Sequence, residues 1–412
     1  MRRRVAITGV GVVCPLGRRI EEVWSRIVAG ESSVAAGTFK NPATGTELTV
    51  PIARLPDGAL DSPARDVAGL TDRFTHMALQ AASAAIHDAR LDFAFIDKSR
   101  VGVSNGTCMG GISETEVGFD SIYLRGRPKV HPFTVIRTMY NAPSAFVAAA
   151  LQVSGPVLAY STTCSSSSVA IGEAARTIRH GYADTMIAGG SESLLTYSAI
   201  NCWHSAQLLA RVADVPSASC RPFSADREGT ALGEGAAFVV LEAWETAKQR
   251  GATILGELAG YGCTADSGHV TQPSVNGQAR PMLAALDDGG VQPSQIDYVQ
   301  AHGTGTKAND ASETAAIKLA FGAHADSLAV SSSKPQLGHM VGAAGAMSFV
   351  IALQSIRSQI VPPTINLRKA DAECDLDYVP SVGRARPGIS HAMCNAFGFG
   401  GTAVSLILRA VE

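Results

Sequence analysis

The sequence lacks the usual marks of a metal-stapled or disulfide-stapled protein. Its eight cysteines, at positions 14, 108, 164, 202, 220, 263, 374 and 394, form no CxxC pair and no regular ladder. That spacing excludes a finger-type zinc motif and a disulfide framework, and it points to a reducing compartment, with the cytoplasm as the expected location. Cys202 and His204 flank Trp203 as a candidate ligand pair, but no second pair stands at metal spacing, so no metal site is expected. Charge is also scarce, at 17% of residues with a formal net charge of -2. No global field recruits nucleic acid, and an acidic partner must be met by a local basic patch. No uninterrupted apolar run reaches the ~18 residues needed to span a membrane, so none is expected. Met1-Arg2-Arg3-Arg4 followed by Val5 to Val13 mimics a signal peptide. The run is broken by Thr8, Gly9 and Gly11 and followed by Arg18-Arg19 without a small-residue cleavage site, so it reads as a first core strand. Gly9-Val10-Gly11 starts a dinucleotide-loop pattern whose third glycine falls at Cys14, which rejects that reading.

What the chain does have is bulk and small residues. With 412 residues, 46% hydrophobic content and 41 glycines, it is a globular protein of two domains or one duplicated unit. Strand-like runs at Val5 to Val13, Val101 to Ser104, Val157 to Tyr160, Thr185 to Ala188 and Ala236 to Leu241 alternate with helical patterns, which predicts an α/β fold. After a polar stretch at Glu245 to Arg250 the scheme restarts: Ile254 to Leu258, Tyr298 to Ala301, Leu328 to Ser331, a strand ending near Phe397, and Ala403 to Leu408. Two halves, 1–250 and 251–412, are expected from this internal echo. The helices after Cys164 and after Gly338 are both apolar on most sides. The small residues of the second, Gly342-Ala343-Ala344-Gly345-Ala346, predict close packing against the first at the centre of the molecule.

Chemistry concentrates in three places. Val157 to Tyr160 runs into Ser161-Thr162-Thr163-Cys164-Ser165-Ser166, which predicts a strand followed by a helix with Cys164 in its first turn. A helix N-terminus favours a thiolate, so Cys164 is a candidate nucleophile with a lowered pKa; buried packing is the alternative, and this stretch alone does not choose. His302 stands at a strand end in Ala301-His302-Gly303-Thr304-Gly305-Thr306. His339 follows Lys334-Pro335-Gln336-Leu337-Gly338 at an expected helix start, where the dipole keeps an imidazole neutral and able to donate an N–H. Each histidine alone is more readily structural than functional, by about three to one.

Taken in order, these motifs resemble the β-ketoacyl-acyl carrier protein synthases, the decarboxylating condensing enzymes of the thiolase superfamily. The resemblance is carried by Thr163-Cys164-Ser165-Ser166, His302-Gly303-Thr304-Gly305-Thr306, Lys334 with Gly338-His339, and Asn395-Ala396-Phe397-Gly398-Phe399-Gly400-Gly401-Thr402, and it spans essentially the whole chain. It implies a thiolase-like α/β fold, internally duplicated, with two mixed five-stranded sheets in an α-β-α-β-α layering. It implies an acyltransferase: Cys164 takes the acyl chain from an acyl carrier protein, malonyl carrier protein loses carbon dioxide, and its enolate attacks the acyl-cysteine. The same resemblance gives His302 and His339 as N–H donors to the enolate, backbone N–H groups of Cys164 and Phe399 as the oxyanion hole, and Lys334 with Glu313 as a buried ion pair. Thr304 and Thr306 would bind the phosphopantetheine arm, which arrives on the carrier protein, so no resident cofactor is implied. Phe399 would gate the site, Phe397 would lie beside the substrate, Met109 would line the acyl tunnel at a dimer interface, and Arg127, Lys129 and Arg211 would meet the carrier protein.

The relatives within that superfamily differ at readable positions. A thiolase would carry a second cysteine in the final glycine-rich loop, where this chain has Phe-Gly-Phe; a priming synthase would carry Asn in place of His339. A silent chain-length subunit would lack Cys164. Lys307-Ala308-Asn309-Asp310 with Glu313, Val361-Pro362-Pro363-Thr364 and Leu376-Asp377-Tyr378-Val379-Pro380 are similar to ketosynthase subunits of type II polyketide systems, which pair with a cysteine-free paralogue. Residues 395–402 look closer to homodimeric fatty-acid synthases. Ser167 replaces a usual glycine and Pro335 a common serine, a combination that suits a reduced-chain or polyene ketosynthase.

Overall fold

The computed structural model describes residues 3–61 and 65–411; Met1 and Arg2 of the basic N-terminal cluster lie outside the described residues. Ten strands form its centre. The first half contributes β1 (Val5–Val13), β2 (Val101–Gly106), β3 (Val157–Tyr160), β4 (Thr185–Glu192) and β5 (Gly235–Ala243); the second contributes β6 (Gly256–Ala265), β7 (Tyr298–Gln300), β8 (Ala329–Ser331), β9 (His391–Phe397) and β10 (Thr402–Arg409). They lie in the order β8-β7-β9-β10-β6-β1-β5-β4-β2-β3. Reading outward from the middle, β1-β5-β4-β2-β3 and β6-β10-β9-β7-β8 are the same order shifted by one half of the chain. In each half the second strand pairs in parallel with the third and fourth, and the remaining pairs are antiparallel.

The expectation of two separate five-stranded sheets needs correction. β1 and β6 pair antiparallel through Ala6 with Glu257 and Ile7 with Gly256, which joins the two into one ten-stranded sheet. The layering is as expected. α1 (Arg73–Asp88) covers the outside of the first half; α2 (Ser166–Arg179), α3 (Tyr197–Ser205), α4 (Val275–Gly289), α5 (Lys307–Phe321) and α6 (Ala344–Ser358) follow. α2 and α6 pack on each other between the halves, and α4 and α5 cover the outside of the second half.

Glycine placement explains how these layers approach so closely. A Cβ at Gly9 would lie 2.2 Å from the Ala85 carbonyl oxygen and one at Gly11 2.0 Å from that of Ala81, so both serve to seat α1 on β1. Gly260 and Gly262 do the same for α4, with a Cβ 2.2 Å from the Ala285 oxygen and 2.1 Å from that of Pro281. They also interrupt the apolar run, which is why β6 extends to Ala265 although the hydrophobic signal ends at Leu258. The polar stretch before it is a short helix, Trp244–Gln249. At the centre, a Cβ at Gly345 would meet the Ser168 hydroxyl at 2.1 Å. The segment Val341–Ser358 is long and apolar enough to cross a membrane by length and composition, but 89% of it is buried inside this fold, where it is the core helix.

Candidate active site

Cys164 lies just beyond β3, in a single 3-10 turn, Thr163–Ser165, that precedes α2; it is therefore one turn earlier than the helix position expected from sequence. Thr163 takes a left-handed φ of 55°, a conformation costly for a β-branched residue and held here by its surroundings. Its hydroxyl donates to the Phe399 carbonyl at 3.1 Å, and the Ser165 hydroxyl reaches the Thr402 carbonyl at 3.2 Å. The final glycine-rich loop is thus seated on the nucleophile turn. Gly398 is obligatory there, because a Cβ would fall 2.3 Å from the Thr163 hydroxyl. Ser167, the departure from glycine, accepts the Ala346 N–H at 2.8 Å and so caps the start of α6.

The histidines arrive from the equivalent ends of the second half. His302 follows β7; its N–H and that of Gly303 each donate to the Glu313 carboxylate at 2.8 Å, while the Lys334 ammonium donates to its carbonyl. Lys334 and Glu313 make no ion pair within 4.0 Å among the described residues, which corrects the expected direct pair: they grip opposite sides of one peptide unit. Asn309 and Asn395 complete the Glu313 cradle, each at 3.3 Å. His339 stands five residues before α6, not at its start, between Gly338 with φ 69° and the turn Val341–Ala343. Its N–H donates to the Ala231 carbonyl at 2.7 Å.

These three side chains converge. His339 Nε2 lies 3.1 Å from Cys164 Sγ, and the two imidazoles stand edge-on with centroids 5.5 Å apart. The sulfur and one nitrogen of each ring all fall within 4.8 Å of one another. Burial and the nearby Lys334 charge hold both histidines well below the ordinary imidazole value, so both are neutral. The thiol behaves differently from the sequence expectation: burial pushes Cys164 up to about 12, against the opposing pull of the Lys334 charge and a backbone hydrogen bond. The helix-end effect is outweighed by desolvation, and the resting site holds a thiol.

A cleft opens onto the three groups. Thr304 and Thr306 line it with their hydroxyls 2.8 Å apart, and Phe397 and Phe399 form another wall. Phe397 packs edge-on to His302 at 5.6 Å. Met109 does not line this cleft; it packs, with Ile112 and Trp203, against the apolar cluster that contains Cys164 and Leu194. Arg211 is exposed three residues beyond the cleft-lining Leu208, whereas Arg127 and Lys129 are exposed on a segment that contributes nothing to the cleft.

Two side chains at the site escaped the sequence reading. Trp203, weighed only as the middle of a metal triplet, meets His339 and Phe399 at 6.1 Å each. Glu192, at the end of β4, is fully buried and accepts from the backbone N–H groups of Cys108 (2.6 Å), Met109 (3.3 Å) and Gly342 (3.1 Å). The unused signal was an acidic residue closing a run of apolar and small residues, 185–192.

The sequence matches the family described as "Beta-ketoacyl synthase, N-terminal domain" over residues 2–247 and "Beta-ketoacyl synthase, C-terminal domain" over 255–368. It is 40% identical to a 3-oxoacyl-[acyl-carrier-protein] synthase 2 of Coxiella burnetii, covering 100% of this chain and 99% of that one. It is 39% identical to Nodulation protein E of Rhizobium meliloti, covering 100% of both. Among solved structures, the ishigamide ketosynthase/chain length factor superimposes with a TM-score of 0.91 at 32% identity over 100% of both chains. A buried Cys-His-His site in a duplicated fold, with whole-length likeness to condensing acyltransferases, places this chain in the β-ketoacyl synthase family.

Proposed function

We propose that this protein is the ketosynthase subunit of a type II polyketide system, catalysing decarboxylative condensation of an acyl chain with malonyl-acyl carrier protein. The Cys164 sulfur attacks the incoming thioester, its proton passes to the departing thiol of the carrier, and the acyl group stays on sulfur. Malonyl carrier protein then loses carbon dioxide; its enolate carbon attacks the acyl carbon, the bond to Cys164 breaks, the sulfur takes a proton from solvent, and the carrier leaves with the acyl chain two carbons longer. Neutral His302 and His339 donate N–H bonds to the enolate oxygen, and the backbone N–H groups of Cys164 and Phe399 hold the tetrahedral oxyanion; losing one such donor costs about 100- to 1,000-fold in rate. Thr304 and Thr306 hold the phosphopantetheine arm along the cleft, Phe399 gates it, and no resident cofactor takes part. Residues 1–250 supply the nucleophile and 251–412 the two donors.

The observation that carries this reading is the 3.1 Å approach of His339 Nε2 to Cys164 Sγ with His302 alongside, which sets both rings beside the sulfur that would carry the acyl group. The heterodimer with a cysteine-free chain-length paralogue rests on the likeness to the ishigamide pair; the cytoplasmic setting rests on eight free cysteines. The 40% identity to the Coxiella synthase supports a second reading, a homodimeric fatty-acid enzyme. Intact-mass analysis after incubation with acyl carrier proteins should show one acyl group on the wild type and none on Cys164→Ala; loading of the variant would overturn the nucleophile. Condensation by the purified chain alone would select the fatty-acid reading, and activity only with a cysteine-free paralogue the polyketide one.

A further inference from the structure

The nucleophile and its two donors are also a ligand set. Sequence spacing excludes a zinc finger, but spacing reports only ligands close together in the chain, and the fold brings these three from two different halves. We propose that Cys164, His302 and His339 form a reversible binding site for a thiophilic divalent cation such as Zn²⁺, whose occupancy excludes acyl loading.

The donor chemistry fits. One sulfur and two imidazole nitrogens are the ligand types Zn²⁺ prefers, and three protein ligands with a fourth position open to solvent is the arrangement of accessible zinc sites. In a tetrahedral site with ordinary Zn–S and Zn–N bonds, ligand atoms lie about 3.3 to 3.6 Å apart. Here all three lie within 4.8 Å of one another, with the sulfur and the His339 nitrogen at 3.1 Å, so small side-chain rotations suffice. All three line the cleft, which supplies both an entry path and the open position. Both rings are already neutral and have no proton to give up. On binding, the cation sheds bound water and replaces the thiol proton, which passes to the buffer; the thiolate then offsets one of its two charges.

Two features keep the site reversible. The Lys334 ammonium on the His302 carbonyl places a positive charge near the cation, opposed by Glu313 on the other side of the same peptide. His339 Nδ1 is buried without a hydrogen-bond partner, so the ring lacks the outer carboxylate or carbonyl that tightens a resident zinc ligand. Because metal and acyl group both need Cys164 Sγ, each excludes the other.

The test needs no carrier protein, so it stands apart from the condensing reading. Cobalt(II) added to the full metal-free chain should give a near-ultraviolet thiolate-to-cobalt band and four-coordinate visible bands, both displaced by Zn²⁺ and absent from Cys164→Ala and His302→Ala. In the wild type, Zn²⁺ at ten times its dissociation constant should slow iodoacetamide alkylation of the Cys164 peptide about tenfold, and EDTA should restore the rate. Bands retained in Cys164→Ala, or alkylation unaffected by Zn²⁺, would overturn the proposal, and the wild-type alkylation decides it even where a variant fails to fold.

Discussion

At the residue scale the decisive competition is between a helix end and burial. Sequence shows the first, because Thr163-Cys164-Ser165-Ser166 is a legible helix start, but it cannot show the second: only the fold reveals that Cys164 sits beneath α6 and the final loop. Burial wins and pushes the thiol from 9.0 to about 12. The thiolate fraction therefore grows about tenfold per pH unit through neutrality, and the alkylation rate of Cys164 should rise with pH without levelling off below pH 9. A plateau near pH 7, read by peptide mass against time, would show the helix end to be the stronger effect. Glu192 poses the same contest in a carboxyl group. Burial raises it from 4.5 to about 7 against four hydrogen-bond donors. A raised carboxyl pKa in the folded state contributes stability that is present below about 4.5 and lost as pH rises through about 7. Thermal unfolding should thus move to lower temperature between pH 5 and pH 8, and Glu192→Gln should flatten that slope; an unchanged slope would assign it to the other raised carboxyls, Asp72, Asp310 and Glu313.

At the scale of elements, the site is built from ends that correspond between the halves. Cys164 follows the third strand of one half, and His339 follows the third strand of the other; His302 follows the second strand, where the first half has Thr107-Cys108-Met109. This symmetry was legible because ten apolar runs in matching order survive in the sequence, each bounded by small or polar residues. What stayed hidden depends on partners remote in the chain: the β1 to β6 pairing that merges the sheets, and the sharing of one peptide between Lys334 and Glu313, which the family resemblance implied as an ion pair. α2 and α6 follow the segments that carry Cys164 and His339, and Gly345 permits their close contact. Gly345→Ala would place a Cβ 2.1 Å from the Ser168 hydroxyl and 2.9 Å from its backbone nitrogen. Overpacking of this kind costs about 1 to 3 kcal/mol, and the helices must part to relieve it. Both the melting temperature and the acyl-loading rate should fall; a variant with wild-type loading would show that the two halves position their groups independently of this contact.

For the whole molecule, the ten-stranded sheet ends in two edges that the chain treats unequally. β8 is covered: all three residues are buried, and Val330 donates its N–H to the Asp377 carbonyl at 2.8 Å. β3 is left open, with Val157 39% and Leu158 40% exposed. Beside it in sequence, residues 117–140 show Phe119, Tyr123, Phe133 and Val135 to solvent. An uncovered edge with apolar side chains is a pairing surface that a stable monomer would protect, and the asymmetry with β8 argues that a second subunit covers it. No reading of the sequence found this, since the two edge strands look alike as apolar runs and differ only in what later segments reach them. Leu158→Lys sets a charge on that edge without touching the Cys-His-His site. Native mass spectrometry should show the assembly shift to single subunits, while iodoacetamide still reaches Cys164 and the fold persists by circular dichroism. An assembly that survives the substitution would move the subunit contact elsewhere and leave the open edge without a role.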